Sequence, residues 1–131
     1  MILLIDDEPE YVGNYELALK TLGFDVEYIE EVDEALEFID NKLSEVDAIV
    51  LDLMMPFGEN YTSENTESGT RTGLNIYDRV RKEAPELPVF ILTNVTDERV
   101  REKLSSDKNC RFDTKGQPFK FAEFVRKKLD R

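Results

Sequence analysis

Two short apolar runs in this chain close on carboxylates: Ile2-Leu3-Leu4-Ile5 is followed by Asp6-Asp7, and Ala48-Ile49-Val50-Leu51 by Asp52. A third run, Val89-Phe90-Ile91-Leu92, ends in the hydroxyl of Thr93, and Lys115 follows a fourth and weaker one, Cys110 to Thr114. Carboxylates gathered in one pocket repel each other unless a cation joins them. Oxygen ligands in small number, with no imidazole or thiolate among them, suit Mg2+ better than Zn2+. A hydroxyl and an ammonium facing a metal-bound acid make sense if a phosphoryl group lies between them, with Lys115 neutralising its oxygens and Thr93 donating a hydrogen bond. A carboxylate can itself be the nucleophile, forming an aspartyl phosphate. Asp52, alone at its strand end, is the candidate acceptor. Asp6 and Asp7 are the candidate ligands; as neighbours they cannot both point inward along an ideal strand, so one binds directly and the other through water. Singly, each residue has a plain alternative: Asp52 starting a turn, Thr93 capping a helix, Lys115 solvated at a strand end.

That chemistry needs elements that bring these residues together. Helical spacing of Val12, Tyr15, Leu19 and Leu22 after Pro9 predicts helix one, stopped by Gly23. Alternation from Phe24 to Ile29 predicts strand two, and the acids Glu30 to Glu34 favour the start of helix two on Val32, Ala35, Leu36, Ile39 and Leu43. Strand three is read over Val46 to Asp52 and helix three over Gly73 to Ala84. Thr96 and Asp97 cap helix four, which turns Val100 and Leu104 inward, and Pro118 opens helix five on Phe121, Phe124, Val125 and Leu129. Five strands alternating with five helices predict an α/β domain, a doubly wound five-stranded parallel sheet of order 2-1-3-4-5. In that order strands one and three are neighbours at the topological switch point, so Asp6, Asp7 and Asp52 share a crevice that Thr93 and Lys115 enter from strands four and five.

The 131 residues fit one domain, 1–131, and 40% hydrophobic residues can fill one core. Residues 57–72 are polar and punctuated by glycines, and read as a long insertion after strand three. The formal charge of −12 disfavours nucleic-acid binding by net attraction. It is unevenly spread: residues 1–70 carry two basic side chains, Lys20 and Lys42, against 19 acids, whereas residues 71–131 carry 15 basic and 10 acidic side chains. The basic part is either a steering face or ordinary solvated helix surface. The single cysteine, Cys110, excludes an intramolecular disulfide and is read as a small core residue. The apolar start Ile2 to Ile5 is too short for a signal peptide and no run is long enough to span a membrane, so a soluble cytoplasmic protein is expected.

On these residues the chain resembles a response-regulator receiver domain over essentially its whole length. Ile2-Leu3-Leu4-Ile5-Asp6-Asp7-Glu8-Pro9 resembles the family's acidic end of strand one, Asp52 with Met55-Pro56 its phospho-acceptor motif, and Thr93 and Lys115 its switch hydroxyl and lysine. The resemblance implies the flavodoxin-like fold and phosphoryl transfer to Asp52 from a histidine kinase or histidine phosphotransfer protein. It implies Mg2+ held by Asp6 or Asp7, Asp52 and the backbone carbonyl of Met54. Phe112 matches the aromatic whose inward turn accompanies movement of Thr93. The domain is then a phosphorylation switch and not a turnover enzyme, its signal leaving through the face of helix four, strand five and helix five. That face carries Arg99, Arg101, Lys103, Arg111, Arg126, Lys127 and Lys128, and suits an acidic partner or a second copy. No output segment follows Arg131, so a stand-alone receiver or one cut from a longer protein is expected.

Three features depart from the family's pattern. The glycine that normally follows Met55-Pro56 closely is delayed to Gly73 by the insertion, which is either a cover or recognition element at the mouth of the site or a passive loop. Gly116-Gln117 stands between Lys115 and Pro118, where the family usually has proline, joined by a cis bond, straight after its lysine. Asn94 replaces a small residue, and Met54 and Val95 are apolar where some relatives carry polar groups that orient water, so a long-lived phosphoryl-Asp52 is expected. Two other readings stay open: a receiver-like scaffold that is never phosphorylated, and a haloacid dehalogenase-type phosphohydrolase, for which Asp6-Asp7-Glu8 only loosely supplies the required acids.

Overall fold

The computed structural model describes residues 1–52, 70–92, 98–113 and 116–130. The elements run β1 (Ile2–Ile5), α1 (Pro9–Thr21), β2 (Val26–Ile29), α2 (Val32–Lys42), a 3-10 turn (Leu43–Glu45), β3 (Ala48–Leu51), α3 (Thr70–Glu83), β4 (Val89–Leu92), α4 (Glu98–Ser105), β5 (Cys110–Asp113) and α5 (Pro118–Lys128). The strands form one parallel sheet of order β2-β1-β3-β4-β5, the expected order.

The three inner strands are buried at every position, which is why they read as unbroken aliphatic runs with no alternation. Their side chains still alternate between faces. Leu3, Ile5, Ile49, Leu51, Val89 and Ile91 join a core with α2, α3 and α4, while Ile2, Leu4, Ala48, Val50, Phe90 and Leu92 join a second core with α1 and α5. The edge strands are only partly buried and carry charges outward, Glu27 on β2 and Arg111 on β5. Nη1 of Arg111 donates to the carbonyls of Lys108 (2.9 Å) and Cys110 (3.1 Å).

Helix α1 opens with Pro9 at its first turn and ends before Gly23, whose φ of +95° suits a residue without a Cβ. Adjacent residues of α3 reach opposite ways: Arg79 clasps both carboxylate oxygens of Asp40 on α2 at 2.8 Å, and Asp78 pairs with Lys103 on α4 at 3.1 Å. Among the described residues no helix is long and apolar enough to cross a membrane.

Some boundaries differ from those read in the sequence. α3 begins at Thr70, so the last three residues of the 57–72 segment are helical. The sequence hides this because the apolar stripe of α3 starts only with Leu74, and the turn before it is polar. β3 is shorter than Val46 to Asp52 because the Val46 N–H bonds back to Leu43 in the preceding turn. β2 starts at Val26 because the Phe24 N–H is used on the Leu19 carbonyl at the end of α1.

Candidate functional site

The register of β1 on β3 sets Ile5 beside Leu51, so the next residue of each strand leaves the sheet at the same level. Those residues are Asp6 and Asp52. The Asp52 N–H donates to the Ile5 carbonyl at 3.0 Å, and the Asp6 N–H to the Ile29 carbonyl of β2 at 3.2 Å, which extends the hydrogen-bonding pattern of the sheet into both acids. Each is 2–3% exposed, and among the described residues they are the two buried charged side chains. A charge is buried this way only when it is paired, hydrogen-bonded or coordinating.

The chain after Asp6 folds back over it. Asp6 Oδ1 accepts the Glu8 N–H at 2.9 Å, a local turn that aspartate favours and that leads into Pro9 and α1. The result brings one carboxylate oxygen each from Asp6, Asp7, Glu8 and Asp52 within 4.8 Å of one another. An octahedral Mg2+ with bonds of about 2.1 Å sets opposite ligand atoms roughly 4.2 Å apart, so the cluster has the size and the hard oxygen donors for such an ion. Asp6, Asp7 and Asp52 come together as expected from the strand order. Glu8 is the member that the sequence reading passed over, although its adjacency to Asp6-Asp7 was a signal.

Tyr28 of β2 completes the wall, its hydroxyl donating to the Asp6 main-chain carbonyl at 2.9 Å. Burial, then the negative charges of Glu30, Asp6, Asp7 and Glu16, push its phenol up to about 12, so it remains a donor across the neutral range. Nothing in the strand pattern of residues 24–29 marked Tyr28 for this position; only the register of β2 on β1 does.

Thr93, Lys115, the backbone carbonyl of Met54, Asn94 and Val95 lie outside the described residues, as do Met55 and Pro56. Phe112 is described: it is half-buried on β5, with the guanidinium of Arg101 from α4 stacked 4.9 Å from its ring centre. Arg101 and Phe112 flank a groove of about 520 Å³ between α4 and β5, whose lining also includes Leu104, Ser105, Cys110 and Arg111. Arg101, Lys103, Arg111, Lys127 and Lys128 are exposed.

Similar folds occur among solved structures of receiver domains. A CheY-like response regulator receiver domain protein from Methanospirillum hungatei superposes with a TM-score of 0.76 at 21% identity, covering 98% of this chain and 92% of that one. The BeF3-activated N-terminal receiver domain of Klebsiella pneumoniae RstA gives 0.74 at 19% identity, covering 99% and 98%. The response regulator TrrA from Thermotoga maritima, solved in complex with Mg2+ and BeF, gives 0.71 at 25% identity, covering 98% and 96%. Comparison with curated protein sequences found no match. The sequence itself matches the family described as the response regulator receiver domain over residues 2–116. With an acid pocket at the switch point of a 2-1-3-4-5 parallel sheet and this match over most of its length, the chain belongs to the response regulator receiver domain family.

Proposed function

We propose that this receiver domain is switched by phosphorylation of Asp52. The observation that carries this reading is the burial of Asp52 beside Asp6, with Asp7 and Glu8 completing a cluster that spans 4.8 Å at the carboxyl edge of the sheet. A carboxylate oxygen of Asp52 bonds to phosphorus as the P–N bond of a phosphohistidine donor breaks. The imidazole leaves with the bonding electrons and is neutral once its ring carries one proton. A histidine kinase or histidine phosphotransfer protein supplies the donor.

The cluster suits Mg2+, held by Asp6 or Asp7, by Asp52 and by the backbone carbonyl of Met54, with Glu8 as a further carboxylate at its rim. When bound, the ion neutralises phosphoryl oxygens and the acids that face them. The ammonium of Lys115 and the hydroxyl of Thr93 take the remaining oxygens. Asn94 in place of a small residue, and the apolar Met54 and Val95 where some relatives carry polar groups that orient water, favour a long-lived phosphoryl group.

The phosphorylated state favours the conformer in which Thr93 and Phe112 turn inward, a shift of an existing equilibrium toward one of two packings. Support for a readout on this side comes from the groove between α4 and β5 and from Arg101 stacked on Phe112, which an inward turn of the ring would undo. The exposed basic side chains there suit an acidic partner or a second copy of the domain.

Incubation with Mg2+ and acetyl phosphate, followed by intact-protein mass spectrometry, tests the core of this reading. One phosphoryl adduct is expected, and none in Asp52→Asn. Absence of an adduct on the parent protein overturns phosphorylation and leaves a receiver-like scaffold.

A further inference from the structure

Asp6 is held at several points, and one of them comes from a side chain on the neighbouring strand. Its N–H donates to the Ile29 carbonyl at 3.2 Å, its Oδ1 accepts the Glu8 N–H at 2.9 Å, and its main-chain carbonyl accepts the Tyr28 hydroxyl at 2.9 Å. The partners in the first two bonds are backbone groups, which most side chains at positions 29 and 8 would leave in place. The third bond needs a phenol at position 28.

The strand register explains how the phenol gets there. Tyr28 lies beside Leu4 in the pairing of β2 with β1, and its ring packs against the core shared with α1 and α5. A strand advances about 3.3 Å per residue, so the hydroxyl reaches two residues beyond the level of its own backbone, past Ile5 where β1 ends. A shorter donor on the same backbone would not arrive.

The carbonyl that Tyr28 holds belongs to the Asp6–Asp7 peptide, a rigid plane that carries the Asp7 nitrogen and Cα with it. Fixing that oxygen fixes where Asp7 begins relative to Asp6. Asp6, Asp7, Glu8 and Asp52 each bring one carboxylate oxygen within 4.8 Å of the others, and like charges this close push apart. Asp52 is anchored separately, through its own N–H on the Ile5 carbonyl at 3.0 Å. The Asp6–Asp7 link is therefore a place where the cluster can yield, and Tyr28 stiffens it.

We infer that Tyr28 is a positioning residue for Mg2+: its hydroxyl holds the Asp6–Asp7 peptide so that the Asp7 carboxylate stays at ligand spacing within the cluster. It acts through the backbone and brings no charge of its own, in the way that groups behind metal ligands preorganise them. The inference rests on the reading of this cluster as a Mg2+ site given above.

Tyr28→Phe removes the hydroxyl and keeps the ring. Mg2+ affinity of the full chain is measured from amide chemical shifts during titration with MgCl2 to high concentration, so that weakened binding is still quantified. The expected result is binding about tenfold weaker in Tyr28→Phe. In an Asp7→Asn background the same substitution is expected to change the affinity less than twofold, because the carboxylate it positions is gone. Tyr77→Phe deletes a phenol hydroxyl bonded to Asp107 at the other end of the sheet, and is expected to leave Mg2+ affinity unchanged within twofold. Unchanged affinity in Tyr28→Phe, an equal loss with and without the Asp7 carboxylate, or an equal loss in Tyr77→Phe overturns the positioning role. A parent protein whose shifts do not respond to Mg2+ overturns the metal reading of the cluster instead, and this inference with it.

Discussion

Arg81, near the end of α3, donates through Nε to Asp107 in the turn that leads into β5. The same guanidinium reaches the carbonyls of Ala84 (3.1 Å), Leu87 (2.7 Å) and Asn109 (3.2 Å), and lies 5.4 Å from the Tyr77 ring centre. One side chain thus gathers the turns that open β4 and β5, at the end of the sheet away from the acid pocket. Arg81→Met should destabilise the domain by about 2–3 kcal/mol, because it strands several part-buried acceptors at once. Chemical denaturation of both proteins measures the difference. A loss under about 0.5 kcal/mol, ordinary for a surface substitution, would reduce this network to surface decoration.

The network also sets a pH dependence. Burial alone would raise the Asp107 carboxyl, but hydrogen bonds from Tyr77, Arg81 and the Asn109 N–H, with the Arg81 charge, hold it below its usual value of 3.8. Its contribution to stability is therefore present above pH ~4 and is lost as pH falls through the lowered value. Burial first, then the bond to Asp107, pushes the Tyr77 phenol up to about 12, so its contribution is full below pH 10 and is lost between 10 and about 12. Denaturation across pH should show Asp107→Asn with a flatter acid limb and Tyr77→Phe with a flatter alkaline limb. Limbs of unchanged slope in both variants would count against the assignment.

Cys110 should behave as an inert thiol. It is 6% exposed, and burial, followed by the charge of Asp107 and against those of Arg81 and Arg111, raises it to about 12. Alkylation by iodoacetamide at pH 8 should label the unfolded chain and leave the native one unlabelled on the scale of an hour. Rapid labelling of the native protein would mean that the groove between α4 and β5 opens readily.

In the acid pocket the substitutions should rank by burial. Asp6→Asn, which removes a buried charge, should weaken Mg2+ binding more than tenfold in calorimetry. Glu8→Gln, exposed at the rim, should weaken it only severalfold. Tyr28→Phe removes the hydroxyl that fixes the Asp6 carbonyl and should cost about 1 kcal/mol of stability. Equal effects of Asp6→Asn and Glu8→Gln would point to an ion held outside the pocket.

Charge reversal at Arg101 and Lys127 should weaken binding of an acidic partner, and the parent interaction should fall with added salt. Surface plasmon resonance with phosphorylated and unphosphorylated protein gives both numbers. A partner whose affinity ignores both reversals binds elsewhere.

How far the sequence revealed this molecule follows the kind of information each feature needs. The buried strands were legible because burial on both faces leaves an unbroken aliphatic run, as in Ile2 to Ile5, Ala48 to Leu51 and Val89 to Leu92. Right-handed crossovers implied a parallel sheet covered on both faces, the doubly wound order 2-1-3-4-5 was the simplest that fits, and that order sets Asp6 beside Asp52. What was not legible depends on register or on distant partners. Tyr28 reaches the Asp6 carbonyl because β2 pairs with β1 one way and not another, and Tyr15 meets Gly116 only once α1 and α5 lie side by side. The start of α3 at Thr70 was hidden because its first turn carries no apolar side chain. Thr93 and Lys115 remain expectations from the sequence, since both lie outside the described residues.

The edge of the sheet carries a last consequence. Among the described residues no strand pairs beyond β5, and an unpaired strand edge is a template on which another strand can grow. Arg111 occupies part of that edge, its guanidinium holding the carbonyls of Lys108 and Cys110 and presenting a positive charge to any strand that approaches. The residue that looks like one more unit of a basic face thus also places a charge on the edge strand, the kind of residue that discourages edge-to-edge pairing. Losing it would show first in how the protein survives storage at high concentration, and only later, if at all, in how it signals.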